Sequence, residues 1–443
     1  MSEKITYNSI LLVAIPIILE SLAQNILNIT DTAFMGRLGE SNLGAAAIGS
    51  IFYYILVMMA LGLGIGSQII IARRVGEKNQ KAVGRVFVHT QYILVSIAMF
   101  MILILSIFLK QILFLFINSV EIRVLAEDYL SYRIFGLLPS FLNISFRAFY
   151  VGIAKTKSIS YSTIIMTLLN IVLNYILIFG KLGAPALGIK GAAIASVCAE
   201  FSALMFFSFY TIVRINNREY RLFRYVKINF RITKRILNVS YPLMIQHFVS
   251  FSCWFAFFVL IEKMGSLELA VSNIIRSIYI FMLLPIWGFS AAVNTFVSNS
   301  IGSGNPDALW KILKKSVFLC VPICLALIVP MGLFPTIVLN VFTNDLLLIN
   351  AAKPVYYVIL GVSPFLATAI LFFSALTGTG NTKVSMALEI IVLFFYIMFA
   401  WIFISKLQFQ LASVWTVEFI YAFLLWGISF VYLKSNKWKK TTV

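Results

Sequence analysis

Five carboxylic acids lie inside long apolar segments of this 443-residue chain: Glu20, Asp31, Glu200, Glu389 and Glu418. A carboxylate in a membrane span is costly unless it is paired, hydrated or protonated, so each of these acids marks a candidate functional site. A buried carboxyl can take up a proton or Na⁺ on one side of a membrane and release it on the other. The chemistry that these residues indicate is therefore ion binding inside a bilayer.

The first apolar segment is the richest in polar groups. Glu20, Gln24, Asn28 and Asp31 follow one another at spacings of four, four and three, which places them on one face of a helix. A rise of about 1.5 Å per residue puts Glu20 and Asp31 about 16 Å apart along the axis. Pro16 lies one turn before Glu20 and is a candidate hinge, because proline frees a backbone carbonyl and bends a helix. The alternative is a polar seam that only holds helices together.

A second polar pair, Asn170 and Asn174, lies at i and i+4 on one face of another apolar segment. The two amides can hydrogen-bond a protonated carboxyl or offer oxygens to Na⁺. An amide bond between helices is the alternative interpretation.

The remaining acids are candidates for substrate binding or coupling. Glu200 and Glu418 occupy matching places, since an Ala-Ser-Val triplet precedes each of them at 195–197 and 412–414. That match indicates either a shared role or structural inheritance. Glu389 has no evident partner in the sequence.

Composition indicates a membrane protein. Apolar residues make up 61% of the chain and charged residues 12%, against about 25% charged residues in soluble domains. With no sizeable soluble domain we do not expect an enzyme, and no nucleotide-binding GxxxxGK[ST] motif occurs. The expected energy source is an ion gradient, H⁺ or Na⁺. We expect no cofactor and no structural metal, and nothing in the sequence requires more than a monomer.

Twelve apolar segments are each long enough to cross a bilayer as a helix. We predict spans at 10–35, 44–72, 86–109, 128–151, 159–180, 189–213, 237–261, 270–297, 316–340, 354–377, 384–405 and 411–433.

The two halves of the chain repeat each other. Identical residues recur 226 positions apart, among them Pro16 and Pro242, Gly39 and Gly265, Tyr53 and Tyr279, Gly62 and Gly288, and Lys157 and Lys383. Each half has an even number of spans, so both begin on the same side of the membrane and form parallel repeats. We predict an all-α membrane protein with two six-helix lobes, at 1–213 and 237–443, related by a pseudo-two-fold axis along the membrane normal. A basic cytoplasmic linker at 214–236 joins them.

The formal charge of +19 is unevenly distributed. Most of the 35 basic residues fall in segments that lie inside the cell if the first residues are cytoplasmic. We therefore predict a multi-pass protein of the cell (inner) membrane with both termini in the cytoplasm. The basic excess is a topology signal and a contact for anionic lipids of the bilayer, not a nucleic-acid site.

These residues resemble the multidrug and toxic compound extrusion (MATE) family. The run from Pro16 through Glu20, Asp31-Thr32 and Gly36 to Gly39 is similar to the family's first-helix pattern. Further matches are the turns Gly76-Glu77-Lys78-Asn79 and Gly302-Ser303-Gly304-Asn305, and the segment from Asn170 and Asn174 to Gly180 and Gly188-x2-Gly191-Ala192-Ala193.

The resemblance implies a pair of six-helix lobes that exports organic cations or amphipaths in exchange for H⁺ or Na⁺. It also implies a coupling-cation site at Asp31, Asn170 and Asn174, with Na⁺ as one alternative ligand. Some members carry acids in the seventh and tenth helices. Here Gln246 and Ser250 occupy the turns after Pro242, and 366–381 contains no acid. The sequence therefore does not predict a cation site in the second half.

Two other classes fit less well. A flippase for lipid-linked oligosaccharide precursors should line its cavity with basic residues for pyrophosphate, and only Arg133, Arg147 and Arg276 lie within predicted spans. A membrane-embedded prenyl-group transferase should have Asp-rich metal motifs at helix ends, and this sequence has none.

Overall fold

Long helices account for most of the chain. The computed structural model describes residues 5–222 and 227–440, and no β-strand occurs within them. The long helices of the first half are α1 (Tyr7–Gly36), α2 (Glu40–Gly76), α3 (Gln80–Phe116), α4 (Val120–Gly152), α5 (Lys157–Phe179) and α6 (Ile189–Arg214). Those of the second half are α7 (Phe230–Glu262), α8 (Ser266–Gly302), α9 (Ala308–Leu333), α10 (Leu346–Gly378), α11 (Thr382–Lys406) and α12 (Leu411–Lys434).

All twelve helices are long and apolar enough to cross a membrane. The predicted all-α fold with twelve spans is therefore confirmed. One predicted boundary is wrong, because α9 ends at Leu333 and a separate short helix, Pro335–Asn340, follows within the predicted span 316–340. Pro335 causes this break, since the residue before a proline is disfavoured in the α conformation and proline itself suits a first helical turn.

The turns after the first helix of each half require glycine. Gly39, between α1 and α2, has φ of 107°, and Gly265, between α7 and α8, has φ of 148°. A side chain is strained at these angles, so glycine is the residue that suits both turns. The two positions are 226 residues apart, so the repeat seen in the sequence is also present in the backbone.

The chain forms two compact units whose division falls inside α1 and α7. The N-terminal unit is Leu19–Met244, and the C-terminal unit combines Met1–Ile18 with Ile245–Val443. Both divisions lie two residues after a helical proline, Pro16 in α1 and Pro242 in α7. The start of α1 thus belongs with the second half of the sequence, and the start of α7 with the first.

The predicted linker at 214–236 contains a short helix, Asn217–Tyr220, and the beginning of α7 at Phe230. Its residues 223–226 lie outside the described part of the chain. The side chain of His89, near the start of α3, accepts a hydrogen bond at Nε2 from the backbone N–H of Asn229, at 2.9 Å. The predicted lobes, 1–213 and 237–443, were defined by the sequence repeat and not by contacts. Their boundaries therefore stay a prediction.

Aromatic side chains fill the core of the C-terminal unit. Phe257 of α7 packs edge-to-face on Trp415 of α12, with ring centroids 5.2 Å apart, and Tyr279 and Tyr396 belong to the same buried cluster. Burial of such rings stabilises helix packing and fixes the two tyrosine hydroxyls, which both donate to Glu418.

Candidate functional site

Asp31 of α1 meets the two asparagines of α5 in the N-terminal unit. The Nδ2 of Asn174 donates to Asp31 Oδ1 at 2.6 Å and lies 2.8 Å from Asn170 Oδ1. The Nδ2 of Asn170 donates in turn to Ser196 Oγ of α6, at 3.2 Å. The structure thus brings together the three residues Asp31, Asn170 and Asn174, and adds Ser196.

Burial makes this Asp31 cluster (Asp31, Asn170, Asn174 and Ser196) sensitive to charge. Asn170 and Asn174 are each only 1% exposed, whereas Asp31 is partly buried. Asn174 Oδ1 is buried and accepts no hydrogen bond from the described residues. The cluster therefore presents a carboxylate beside an unused acceptor, an arrangement that can receive a proton or a cation.

Gln24 and Asn28 do not join this cluster. Both side chains are exposed on α1 and form no hydrogen bond within the described part of the chain. The predicted polar face of α1 is thus divided into a buried acid at Glu20, two exposed amides, and Asp31.

Glu20 of α1 is paired with an arginine of α4 that the sequence did not assign to it. Arg147 Nε of α4 donates to both carboxylate oxygens of Glu20, at 2.9 and 3.1 Å. Glu20 is 5% exposed. A charge that is buried in a span needs such a partner, but the two residues are 127 positions apart and no spacing rule connects them.

Glu200 and Glu418 both accept a hydrogen bond from a tyrosine, and the two tyrosines are themselves a repeated pair. The hydroxyl of Tyr53 lies 3.2 Å from each oxygen of Glu200, and that of Tyr279 donates to Glu418 Oε2 at 2.7 Å. The sequence showed the two matches separately, and the structure joins them into one duplicated Tyr–Glu contact.

The halves differ in what completes this contact. Arg133 holds Glu200 through two bonds of 2.6 and 2.8 Å, and its guanidinium lies 3.6 Å from the centre of the Tyr53 ring. Gly136, in a 3₁₀ turn of α4, leaves room for this pair, since a Cβ there would collide with both partners. In the C-terminal unit a second hydroxyl, that of Tyr396, donates to Glu418 Oε1 at 2.9 Å.

Glu389 of α11 contacts α7. Its Oε1 lies 2.8 Å from the hydroxyl oxygen of Ser250, and its Oε2 is buried with no partner among the described residues. Its side chain is thus brought to a turn of α7 where the sequence showed no acid. No group of three or more His, Cys, Asp or Glu side chains within 5–222 and 227–440 could hold a metal ion.

The fold and these buried polar groups define a multi-pass helical membrane protein built from two repeated halves. Residues 16–176 and 242–402 each match the MatE family model, and the two matches begin 226 residues apart (242 − 16 = 226), the offset of the repeat. The chain belongs to the MatE family, the multidrug and toxic compound extrusion transporters. The resemblance seen in the sequence motifs is confirmed.

Known relatives extend over nearly the whole chain. It is 25% identical over 439 residues to a Thermotoga maritima protein named probable multidrug resistance protein NorM, covering 97% of this chain and 92% of that one. The solved structure of an outward-facing multidrug resistance MATE family transporter superposes with a TM-score of 0.87 at 22% identity, covering 98% of this chain and 97% of that one. A Vibrio cholerae MATE transporter superposes with a TM-score of 0.87 at 16% identity, covering 98% of each chain. The likeness to these structures is one of fold.

Proposed function

We propose that this transporter exports organic cations or amphipathic compounds in exchange for H⁺ or Na⁺, by alternating access. Membership of the family makes it a transporter, and the name of the Thermotoga relative supports multidrug efflux as its task. The observation that carries the exchange mechanism is the hydrogen-bonded chain from Asp31 through Asn174 and Asn170 to Ser196.

The Asp31 cluster can accommodate both protonation states of its acid. When Asp31 is ionised, its Oδ1 accepts from Asn174 Nδ2. When it is protonated, its new O–H needs an acceptor, and the unused Oδ1 of Asn174 supplies one after the amide turns. Uptake of a proton therefore changes the contact between α1 and α5. If Na⁺ is the coupling ion, the oxygens of Asp31, Asn170 and Asn174 are its proposed ligands.

Exchange requires that the ion and the exported compound favour different states of the protein. The ion, loaded at Asp31 from outside, favours the state that releases the exported compound there. Pro16 is the proposed hinge, because the division between the two units follows it by two residues. Gln24 and Asn28 are proposed substrate contacts since their side chains are exposed on the same helix.

The test is gradient-driven transport of ethidium by the purified full-length protein in proteoliposomes, with a pH gradient and a Na⁺ gradient imposed separately. We expect one gradient to drive transport in the wild type and Asp31→Asn to abolish it, because the amide can neither take up a proton nor offer a charged oxygen to Na⁺. Asp307→Asn is the matched control, since Asp307 is exposed and, within residues 5–222 and 227–440, forms an ion pair with Lys439 at the surface.

Normal transport by Asp31→Asn would refute the assignment of the coupling site. An absence of ethidium transport by the folded wild type under both gradients would refute the exchange of organic cations and favour the flippase. That alternative has little support in the N-terminal unit, where Arg133 and Arg147 are both paired with acids.

A further inference from the structure

If Glu389 is ionised, the Ser250 hydroxyl has two hydrogen-bond acceptors within reach and only one proton to donate. Ser250 Oγ lies 2.8 Å from Glu389 Oε1 and 2.9 Å from the backbone carbonyl oxygen of Gln246, and both of these are acceptors when the acid is ionised. A hydroxyl carries one proton. With an ionised Glu389, one proton must serve two acceptors while the other carboxylate oxygen, Oε2, stays buried and bare.

A protonated Glu389 resolves this shortage. Its O–H donates to Ser250 Oγ, and the Ser250 O–H donates to the Gln246 carbonyl. The oxygen left without a donor then belongs to a neutral group, which costs far less to bury than part of a full charge. The geometry of the three groups therefore fits the acid form of Glu389.

No positive charge of the described residues forms an ion pair with Glu389. In the N-terminal unit the buried acids Glu20 and Glu200 each form an ion pair, with Arg147 and Arg133. Among the described residues no lysine, arginine or histidine forms such a pair with Glu389, which is only 6% exposed. An unpaired charge at this depth is strongly disfavoured.

The neighbours of Glu389 are neutral or acidic. Among the described residues, the titratable groups close enough to sense its charge include the Cys253 thiol on α7 and the Tyr421 phenol on α12. Tyr421 also senses Glu418 of α12. His247 lies on α7 next to Gln246 in sequence and forms no ion pair within the described residues. None of these groups supplies a cation that would keep Glu389 ionised.

We infer that Glu389 is a second proton-binding site of this transporter, located in the C-terminal unit, and that Ser250 responds to its protonation. When Glu389 loses its proton, the Ser250 hydroxyl turns to donate to the carboxylate and leaves the Gln246 carbonyl. This carbonyl lies on α7 two residues beyond the division between the units at Met244 and Ile245. The helix already lacks one backbone donor nearby, at Pro242. The proton on α11 thus controls the bonding of α7 where that helix passes from one unit to the other.

The role of this site in transport depends on the proposed exchange with H⁺, but its protonation can be measured without transport. The experiment is infrared spectroscopy of the full-length protein in lipid, at neutral pH in water and in deuterium oxide. A buried protonated carboxyl gives a carbonyl-stretch band separate from the amide bands, and exchange with deuterium shifts it to lower frequency.

We expect the wild type to show this band and Glu389→Gln to lose part of it. Ser250→Ala should keep the intensity and shift the frequency, because the acid remains and its hydrogen-bond acceptor is gone. Glu262→Gln is the matched control, since Glu262 is exposed at the end of α7 and its replacement should leave the band unchanged. Identical spectra of wild type and Glu389→Gln would overturn the inference, as would a carboxylate band of Glu389 that responds to Na⁺ in place of the acid band.

Failure of the two proposals can be told apart. Loss of transport in Asp31→Asn together with an unchanged spectrum in Glu389→Gln would leave the exchange function standing and refute the second site. A band that is lost in Glu389→Gln, together with normal transport by Asp31→Asn, would support the second proton site and refute the assignment of the coupling site to Asp31.

Discussion

At the residue scale, the duplicated Tyr–Glu contact shows how two copies of one arrangement have diverged. Tyr53 and Tyr279 both reach a glutamate of the sixth helix of their half, but within the described residues an arginine pairs with Glu200 and none with Glu418. Glu418 depends on two tyrosine hydroxyls, one on each oxygen. The tyrosine hydroxyl is therefore expected to stabilise the protein more in the second half, at Tyr279, than in the first half, at Tyr53.

Replacing each tyrosine by phenylalanine measures this inequality. Tyr279→Phe removes one of two donors to a buried carboxyl, and we expect it to lower the free energy of unfolding by about 1–3 kcal/mol. Tyr53→Phe should cost less than about 1 kcal/mol, because Arg133 still holds Glu200 through two bonds and the ring still packs under the guanidinium. The measurement is unfolding of the purified variants in detergent, and equal losses would contradict the argument.

The sequence identified the polar residues that must be paired inside the membrane. It did not identify most of the side chains that pair with them. Asp31, Asn170 and Asn174 could be grouped because family motifs carry them. The pairing of Glu20 with Arg147, and of Ser250 with Glu389, depends on which helices pack together, and a single sequence does not contain that information. The repeat held one usable signal: Tyr53 recurs as Tyr279 at the offset of the repeat, and an Ala-Ser-Val triplet precedes both Glu200 and Glu418.

At the scale of the helix, close packing in each half uses the same glycine position. Gly62 of α2 faces the backbone of Met244 on α7, and a Cβ there would lie 2.7 Å from its N and Cα atoms. Its repeat partner Gly288 of α8 faces α1, where a Cβ would lie 2.8 Å from the Ala14 carbonyl oxygen. Absence of a side chain lets two helices approach at these points.

Gly62→Ala is therefore expected to destabilise the protein. The new methyl group meets backbone, which cannot turn aside as a side chain can, and overpacking of this kind typically costs about 1–3 kcal/mol. Gly427→Ala in α12 is the matched control: nothing lies within 4 Å of the Cβ position, so we expect no loss and a gain of up to about 1 kcal/mol from helix propensity. Thermal unfolding of the two variants beside the wild type decides the matter, and a loss shared by both would point to a general effect of alanine.

Prediction of the helices succeeded where apolar length decides and failed where local backbone chemistry does. All twelve spans were evident from hydropathy, because a bilayer requires an apolar run of about 20 residues. The end of α9 was placed too late, since the apolar run continues through Phe334 and Pro335 while the helix does not. The division of α1 and α7 between the units was not visible in hydropathy, although Pro16 and Pro242 marked the place.

At the scale of the whole molecule, contacts within the C-terminal unit bring together three segments: the residues before α1, the turn between α8 and α9, and the residues after α12. These segments therefore lie on the same side of the membrane. Lys315, near the start of α9, donates to the backbone carbonyl of Ile5, and Lys439, after α12, pairs with Asp307 in the turn before α9. Ile5 and Lys439, close to the two ends of the described chain, therefore lie near the turn between α8 and α9. The distribution of basic residues predicts which side of the membrane this is.

By the positive-inside rule we expect that side to be cytoplasmic. Three lysines lie near the start of α9, and three more end or follow α12: Lys311, Lys314, Lys315, Lys434, Lys437 and Lys439. We expect green fluorescent protein fused after Val443 to fluoresce, and alkaline phosphatase fused there to be inactive, because each reporter works on only one side of the membrane. A fusion after Asn344, beyond α9 and before α10, should give the opposite pair of results. Reversed signals at both points would overturn the assigned orientation, and with it the direction of export, while the fold would be unaffected. Equal signals at the two points would instead mean that α10–α12 do not cross the membrane an odd number of times, against the twelve-helix arrangement.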